Sequence, residues 1–159
     1  MQPSNDFLDY LRAWEGRDGR PVLQAYQDNA GVWTIGYGST EGVTQGMRIT
    51  AAEAETLFRD DVEEHSRPVA NLSMKVNLEQ HQFDALCSLV FNIGPSRFIT
   101  SSPYIMTKLG KYDKVGPAIE LWNKVRNPTT GVLEVNRGLV RRRAADRAIF
   151  DKADYSGRP

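Results

Sequence analysis

Residues 15–40 read EGRDGRPVLQAYQDNAGVWTIGYGST, and this stretch decides the fold of the 159-residue chain. It contains two well-separated carboxylate residues, Glu15 and Asp28, three aromatic rings and several glycines. Short runs rich in apolar and β-branched residues, separated by turn-forming residues, are typical of a β-hairpin. The predicted order is a strand over 22–27, a turn over 28–31 and a returning strand over 32–37.

Helical sequence lies on both sides of this hairpin. Ser4 is a good N-cap for a first helix, which Gly16 should end, so that Glu15 lies in its last turn. A capping box at Thr50 opens a long helix, which Pro68 should kink or end because proline lacks the backbone N–H. Residues 78–93 form the most apolar segment and predict the central core helix. Met47–Ile49 could add a short third strand to the hairpin. Three further helices are predicted, over 103–110, 113–125 and 138–152. A loop is predicted over 127–131.

The order of helix, hairpin and further helices indicates an α+β fold that is mostly α. A small β-hairpin lobe packed against a larger helical lobe would leave a cleft between them. We expect one domain over 1–159. Its approximate parts are a small β lobe over 16–50, a helical lobe over 1–15 and 70–159, and a connecting helix over 51–69.

Composition excludes several classes of protein. The net charge is zero, but residues 1–75 hold 7 Lys/Arg against 12 Asp/Glu, whereas residues 76–159 hold 13 against 8. This asymmetry is either surface patterning or a cationic face for an anionic partner. Cys87, the single cysteine, is expected to be a small buried hydrophobe, and neither a Sec-type signal nor a membrane span is apparent.

No cofactor or metal site is predicted. The Gly-rich segment after the hairpin lacks the spacing of a dinucleotide-binding loop, and no P-loop lysine follows it. His65 and His81 are sixteen residues apart without neighbouring cysteines, which disfavours a metal centre. The acidic run Asp60, Asp61, Glu63 and Glu64 is most simply a solvated face of the long helix.

Two carboxylates on separate elements beside a cleft are what glycoside hydrolysis requires. Glu15, at a helix end beside Trp14, is the better placed for partial burial and so for the role of proton donor. Asp28, in a wet turn, should stay charged, and the hydroxyl of Thr34 could help to hold a water molecule. The three hairpin aromatics either stack on sugar rings or make cross-strand packing: they are Tyr26, Trp33 and Tyr37.

Five arginines cluster on the last predicted helix. Three interpretations are open for this cluster. The arginines form a solvated face with some ion pairs, or they attract an anionic cell wall, or one of them pairs with Glu15 across the cleft. The zero net charge and the absence of a recognisable nucleic-acid-binding motif disfavour nucleic acid as a partner. The five residues are Arg137, Arg141, Arg142, Arg143 and Arg147.

Residues 15–40 resemble the phage-type lysozymes of glycoside hydrolase family 24, in which Glu-Gly precedes an A-Y-x-D turn and a T-I-G-Y-G strand. The segments FDALCSLVFNIGPSRF and GLVRRRAADRAIF are similar to the endolysin branch of that family. The resemblance implies a muramidase that cleaves the β-1,4 bond between N-acetylmuramic acid and N-acetylglucosamine. It assigns Glu15 as the acid, Asp28 as the carboxylate that positions or activates water, and Thr34 as the third catalytic residue.

The same resemblance implies an endolysin that needs no cofactor, has peptidoglycan as its partner and works as a monomer. It would stay in the host cytoplasm until a partner such as a holin releases it to the wall or periplasm. Substrate binding is assigned to Tyr26, Trp33, Tyr37 and Arg137. The alternatives are a non-catalytic peptidoglycan-binding or structural module on a lysozyme fold, and a lytic transglycosylase.

The chain departs from the family pattern at two places. The usual spacing E-x8-D-x5-T is here E-x12-D-x5-T, because the turn after Gly16 is longer. Asp28 is anchored by the AYQD motif, and Asp18 is the competing carboxylate. Ser39 stands where many relatives have a histidine, so that any ion pair of that histidine is absent. An inverting outcome would require the two carboxyl groups to lie roughly 6.5–9.5 Å apart.

Overall fold

The computed structural model describes all 159 residues and shows seven α-helices with two small antiparallel sheets. None of the helices combines the length and the apolar character that crossing a bilayer requires. The predicted α+β fold, mostly α, is confirmed. The helices are α1 (Asn5–Glu15), α2 (Ala51–Ser73), α3 (Gln80–Ile93), α4 (Pro95–Phe98), α5 (Ser102–Lys108), α6 (Val115–Glu120) and α7 (Arg137–Lys152), and the strands are β1 (Val22–Gln27), β2 (Trp33–Gly36), β3 (Lys124–Arg126) and β4 (Leu133–Val135).

The boundaries of α1 follow the predicted caps. The Ser4 hydroxyl oxygen accepts a hydrogen bond from the Phe7 amide at 3.1 Å, and the helix ends at Gly16. A Cβ atom on Gly16 would lie 2.7 Å from the backbone nitrogen of Arg20, so the chain can fold back here only with glycine. The end of α1 therefore fixes where Glu15 lies.

The predicted hairpin is present as β1 and β2. The two strands are antiparallel, with Tyr26 opposite Thr34 and Gln27 opposite Trp33. A third strand over 47–49 does not form, because that segment makes only an isolated bridge between Gln24 and Arg48.

Helix α2 begins at the capping box of Thr50, as predicted. Pro68, which was predicted to kink or end this helix, does not end it, since α2 continues to Ser73. Val69 and Leu72, which lie beyond the proline, are buried in the core, and their burial offsets the missing backbone hydrogen bond.

Helix α3 is the core helix, as expected, and it contacts α2 and α7. Every residue from 83 to 90 is buried. Cys87 is among them, and burial raises the pKa of its thiol, which confirms the interpretation of a packed hydrophobe. The capping box of α3 is formed by Glu79 and Gln82.

The segment after α5 differs from the prediction. The helix expected over 113–125 is replaced by a short 3-10 turn over 112–114, by α6, and by strand β3. Residues 127–131 form the predicted loop, which is the turn of a second hairpin, β3–β4. The Asn127 side chain accepts hydrogen bonds from the amides of Thr129 and Thr130 and so stabilises this turn.

Helix α7 presents a charged face to the core. The helical spacing of the apolar residues predicts an inward face made of Leu139, Val140, Ala144, Ala148 and Ile149. Of these only Ile149 is buried, whereas Val140 and Ala144 are exposed. The buried positions include charged side chains, because carboxylates of other elements and of α7 itself pair with them. The residues of α7 that are buried are Arg142, Arg143, Ala145, Asp146, Ile149 and Phe150.

Candidate active site

Glu15, the last residue of α1, lines a cleft of about 460 Å³. The opposite walls come from the segment after β2 and from the facing sides of α2 and α3. Three or more potential metal ligands do not cluster anywhere in the structure. The other residues that line the cleft are Tyr37, Gly38, Ser39, Thr40, Glu41, Asp61, Glu64, His65, Phe91 and Asn92.

Arg142 of α7 holds the Glu15 carboxylate. Its Nη2 atom donates to Glu15 Oε1 at 2.5 Å, and the two side chains are 8% and 20% exposed. The same guanidinium lies 5.7 Å from the ring centre of Trp14. Burial alone would lower the pKa of Arg142, but the Glu15 and Asp146 carboxylates raise it above its ordinary value. Arg142 is therefore the arginine that pairs with Glu15, one of the alternatives left open by the sequence.

A buried polar network lies behind this pair. Arg143 Nε is 2.8 Å from Asp146 Oδ2, and both side chains are completely buried. The N–H is not aimed at the oxygen, so the contact is ionic rather than a well-aligned hydrogen bond. Tyr10 and Ser88 donate hydroxyl hydrogen bonds to Asp146 Oδ1 at 2.8 and 2.6 Å, and Arg143 also donates to Asn92. Because Asn92 lines the cleft, the network connects the core to the site.

The charges in this network are expensive to bury. Desolvation lowers the pKa of Arg143, although Asp146 opposes this effect. Burial and the neighbouring Asp146 raise the pKa of the Tyr10 hydroxyl, so that it stays protonated and donates to the carboxylate. Sequence reasoning missed this network, because nothing local shows that Tyr10, Ser88 and Asp146 meet.

Asp28 and Thr34 are connected through the backbone of Val32. Asp28 Oδ1 accepts from the amides of Ala30 and Val32 at 2.8 and 2.9 Å, and the Asp28 amide donates to the Val32 carbonyl. The Thr34 hydroxyl donates to the same carbonyl at 3.0 Å. Asp28 is exposed, whereas Thr34 is buried. The second oxygen of Asp28 and the acceptor sites of Thr34 have no partner in the protein.

The three hairpin aromatics have different surroundings. Tyr37 lines the cleft and packs on Phe58, with ring centres 5.0 Å apart. Tyr26 shares a face with Thr34 and lies under the guanidinium of Arg17 at 5.4 Å. Trp33 is half-buried on the other face of the hairpin. The sugar-stacking role of all three stays a prediction.

The arginine cluster divides among three environments. Arg137, the first residue of α7, is exposed and forms no ion pair, and its assignment to substrate binding stays a prediction. Arg147 pairs with Glu120 at 2.7 Å and with Asp151 at 3.0 Å on the surface. Only Arg142 reaches the cleft carboxylate.

Ser39 stands at the position where many family members have a histidine. Its hydroxyl donates to Asp61 Oδ2 at 2.5 Å, and His65 Nδ1 lies 2.7 Å from the Asp61 carbonyl oxygen. The His65 ring packs on Phe91 at 5.1 Å. Asp61 was interpreted as part of a solvated face, but it lines the cleft. The four-residue spacing of Asp61 and His65 on α2 was the local signal that could have placed both side chains on one face.

Known proteins resemble this chain over most of its length. Residues 12–146 match the family model described as phage lysozyme. An endolysin of Acyrthosiphon pisum secondary endosymbiont phage 1 is 39% identical, and the match covers 96% of this chain and all of that protein. The endolysin of Escherichia coli O157:H7 phage FAHEc1 has a TM-score of 0.86 at 34% identity, covering 98% of this chain and 96% of that one. The muramidase domain of SpmX from Asticaccaulis excentricus has a TM-score of 0.84 at 32% identity, covering 95% and 98%.

Proposed function

Because this chain belongs to the phage lysozyme family and is a glycoside hydrolase, we propose that it hydrolyses the β-1,4 bond between N-acetylmuramic acid and N-acetylglucosamine in peptidoglycan. Its broader role is that of an endolysin, a peptidoglycan-lysing enzyme. The observation that carries the finer proposal is the Glu15 carboxylate, held in the cleft by a buried arginine.

In this proposal Glu15 is the general acid. Oε1 is held by Arg142, whereas Oε2 has no partner in the protein and is the oxygen that would donate a proton to the leaving glycosidic oxygen. The donation leaves a negative charge on Glu15. The guanidinium is already in place to stabilise that charge, and a preorganised group of this kind costs no reorganisation during the reaction.

Asp28 and Thr34 act on the water molecule. Asp28 keeps one oxygen on the turn amides, which fixes the side chain and leaves Oδ2 to orient or activate water. Thr34 donates to the Val32 carbonyl, so its hydroxyl oxygen can accept a hydrogen bond from that water. Glu15 and the hairpin thus supply separate parts of one reaction.

Substrate would lie along the cleft. Tyr37 supports this proposal because it lines the cleft while its ring is fixed against Phe58. Tyr26, Trp33 and Arg137 are proposed as further substrate contacts. The two-lobe division, release from the host cytoplasm by a holin and a monomeric state are parts of the same proposal.

The central experiment compares Glu15→Gln with the wild type on purified peptidoglycan. Loss of the acid should reduce the release of reducing ends by about 10³-fold, within the range of general acid catalysis, without changing the far-UV circular dichroism spectrum. Glu63→Gln, on an exposed position of α2, is the matched control and should keep wild-type activity. Full activity of Glu15→Gln would refute its role as the acid.

A second pair of variants tests the hairpin. Asp28→Asn should lose activity by about 10²-fold or more, whereas Asp18→Asn should stay close to wild type. A greater loss for Asp18→Asn would show that the wrong carboxylate has been chosen. Mass spectrometry of the released muropeptides identifies the reaction, because hydrolysis leaves a reducing muramic acid end and transglycosylation leaves an anhydro end.

A further inference from the structure

The turn that lengthens the family spacing carries two arginines on one face. Arg17 and Arg20 face each other as an antiparallel bridge, and the amide of each donates to the carbonyl of the other at 2.9 and 3.1 Å. The two residues between them, Asp18 and Gly19, both have left-handed backbones, with φ of 54° and 73°. This is the geometry of a tight two-residue hairpin turn, in which directly opposite side chains lie on the same face.

The two opposed arginines destabilise the turn that carries them. Like charges directly opposite each other on paired strands are destabilising. Neither guanidinium has an ion-pair partner, and Asp18, which lies between them in the sequence, pairs with neither. The side chains line a depression of about 530 Å³ together with Asp18, Pro21 and Val22. Two unneutralised guanidinium groups beside one depression are suited to an anion.

The turn is joined to the proposed catalytic face of the hairpin. The Arg17 guanidinium lies over the ring of Tyr26 at 5.4 Å, and this cation–π contact restrains its position. Tyr26 is directly opposite Thr34 on β2, and Asp28 lies two residues after Tyr26, in the turn that follows β1. At its other end, the turn directly follows Glu15 and Gly16. An anion held by Arg17 would therefore lie beside the hairpin that supplies Asp28 and Thr34.

We propose that Arg17 and Arg20 form a subsite for a carboxylate group of the peptide stems of peptidoglycan. The inference rests on the proposed function and deepens it by naming a second part of the substrate. The sugar rings of the polymer are neutral, whereas its peptide stems carry free carboxylates. The planar guanidinium fork matches a carboxylate with two parallel hydrogen bonds, which an ammonium group cannot make in the same geometry.

The test uses three substrates prepared from one batch of peptidoglycan. The first is intact, the second has its carboxylates converted to methylamides, and the third has its stems removed by an amidase, which leaves only the lactyl carboxylate of muramic acid. The enzymes are wild type, the double variant Arg17→Gln/Arg20→Gln, and Arg67→Gln. The last is a matched control on an exposed position of α2 that has no ion pair.

On intact peptidoglycan, the double variant should lose about tenfold in kcat/KM, mainly through KM, as expected for exposed charge pairs acting together. The loss should shrink as salt is raised. On the methylamide and stem-free substrates, the double variant and wild type should be equal, and Arg67→Gln should match wild type throughout. An equal loss on all three substrates, no loss on the intact one, or a loss retained on the stem-free substrate would overturn the proposal.

A binding measurement separates this inference from the proposed reaction. Titration of a synthetic stem tripeptide of alanine, glutamate and diaminopimelate into Glu15→Gln should give salt-sensitive binding. The same titration with Arg17→Gln/Arg20→Gln in the Glu15→Gln background should give at least tenfold weaker binding. If wild type released no reducing ends from any substrate, the proposed function would fail, while loss of tripeptide binding in the arginine variant would still support the subsite. Equal tripeptide binding by both proteins would overturn the subsite alone.

Discussion

Replacing Asp146 by asparagine should destabilise the protein more than any surface charge change. Asp146 and Arg143 are both completely buried and 2.8 Å apart. The amide oxygen of asparagine can still accept the hydrogen bonds of Tyr10 and Ser88, but its NH2 group, a donor, would then face the Arg143 guanidinium in place of Oδ2. The Arg143 guanidinium would then remain in the core without a counter-charge.

Removing one partner of a buried ion pair costs about 3–5 kcal/mol, because the other charge stays desolvated. The lower end applies here, since Arg143 keeps its hydrogen bond to Asn92. For a domain of this size each kcal/mol shifts the melting temperature by about 2–4 °C. The expected decrease is therefore about 6–12 °C.

Thermal unfolding followed by circular dichroism, together with urea unfolding, measures the effect. Asp151→Asn is the matched control, because its partner Arg147 is on the surface and the exposed pair contributes less than about 1 kcal/mol. Adding Arg143→Met to Asp146→Asn should cost at least about 1 kcal/mol less than the sum of the single changes. Equal melting temperatures for Asp146→Asn and Asp151→Asn would refute the argument.

Three further changes test other contacts. The Arg12 side chain holds the pKa of Glu55 below its ordinary value by hydrogen bonding. The stability that this contact contributes is present above the pKa of Glu55 in the unfolded chain, and it is lost as the pH falls through the pKa in the folded protein. Urea unfolding should therefore show Glu55→Gln less stable than wild type by about 0.5–1 kcal/mol at neutral pH and equal to wild type near about pH 2. Tyr155→Phe removes a 2.7 Å hydrogen bond to Asp84 and should cost about 1 kcal/mol in the same assay, and no change would show that the bond contributes nothing. Thr50→Ala removes the cap of α2 and should also cost about 1 kcal/mol, whereas Thr50→Ser should retain most of the stability.

Local signals in the sequence were sufficient for the elements around Glu15. Ser4, Gly16 and Thr50 act through hydrogen bonds within a few residues, and these residues appear at the helix ends where they were predicted. The continuation of α2 past Pro68 could not be predicted in this way, because the cost of the proline is local, whereas the burial of Val69 and Leu72 that offsets it depends on the assembled core. The second hairpin was missed because its strands have only three exposed residues each, too few to show an alternating pattern.

In the candidate site, too, the features that depend on local sequence could be predicted, whereas those that depend on the assembled core could not. The spacing of Asp28 and Thr34 predicted their common hairpin, and the structure joins them through Val32. The arginine that reaches Glu15 could not be chosen from five candidates, because the choice depends on the rotation of α7 about its axis. That rotation is set by contacts with α3 and α6 and by the buried carboxylate of Asp146.

The long-range contacts of α1 also determine when the site can exist during synthesis. Helix α1 is synthesised well before α7, yet the Tyr10 hydroxyl donates to a residue 136 positions later, and Glu15 accepts from one 127 positions later. Its N-cap, Ser4, is held by Asp84 in the middle of the chain. A nascent chain therefore holds α1 without its partners Arg142 and Asp146 until α7 has been translated. A product truncated before α7 would carry Glu15 but lack Arg142, the arginine that pairs with it.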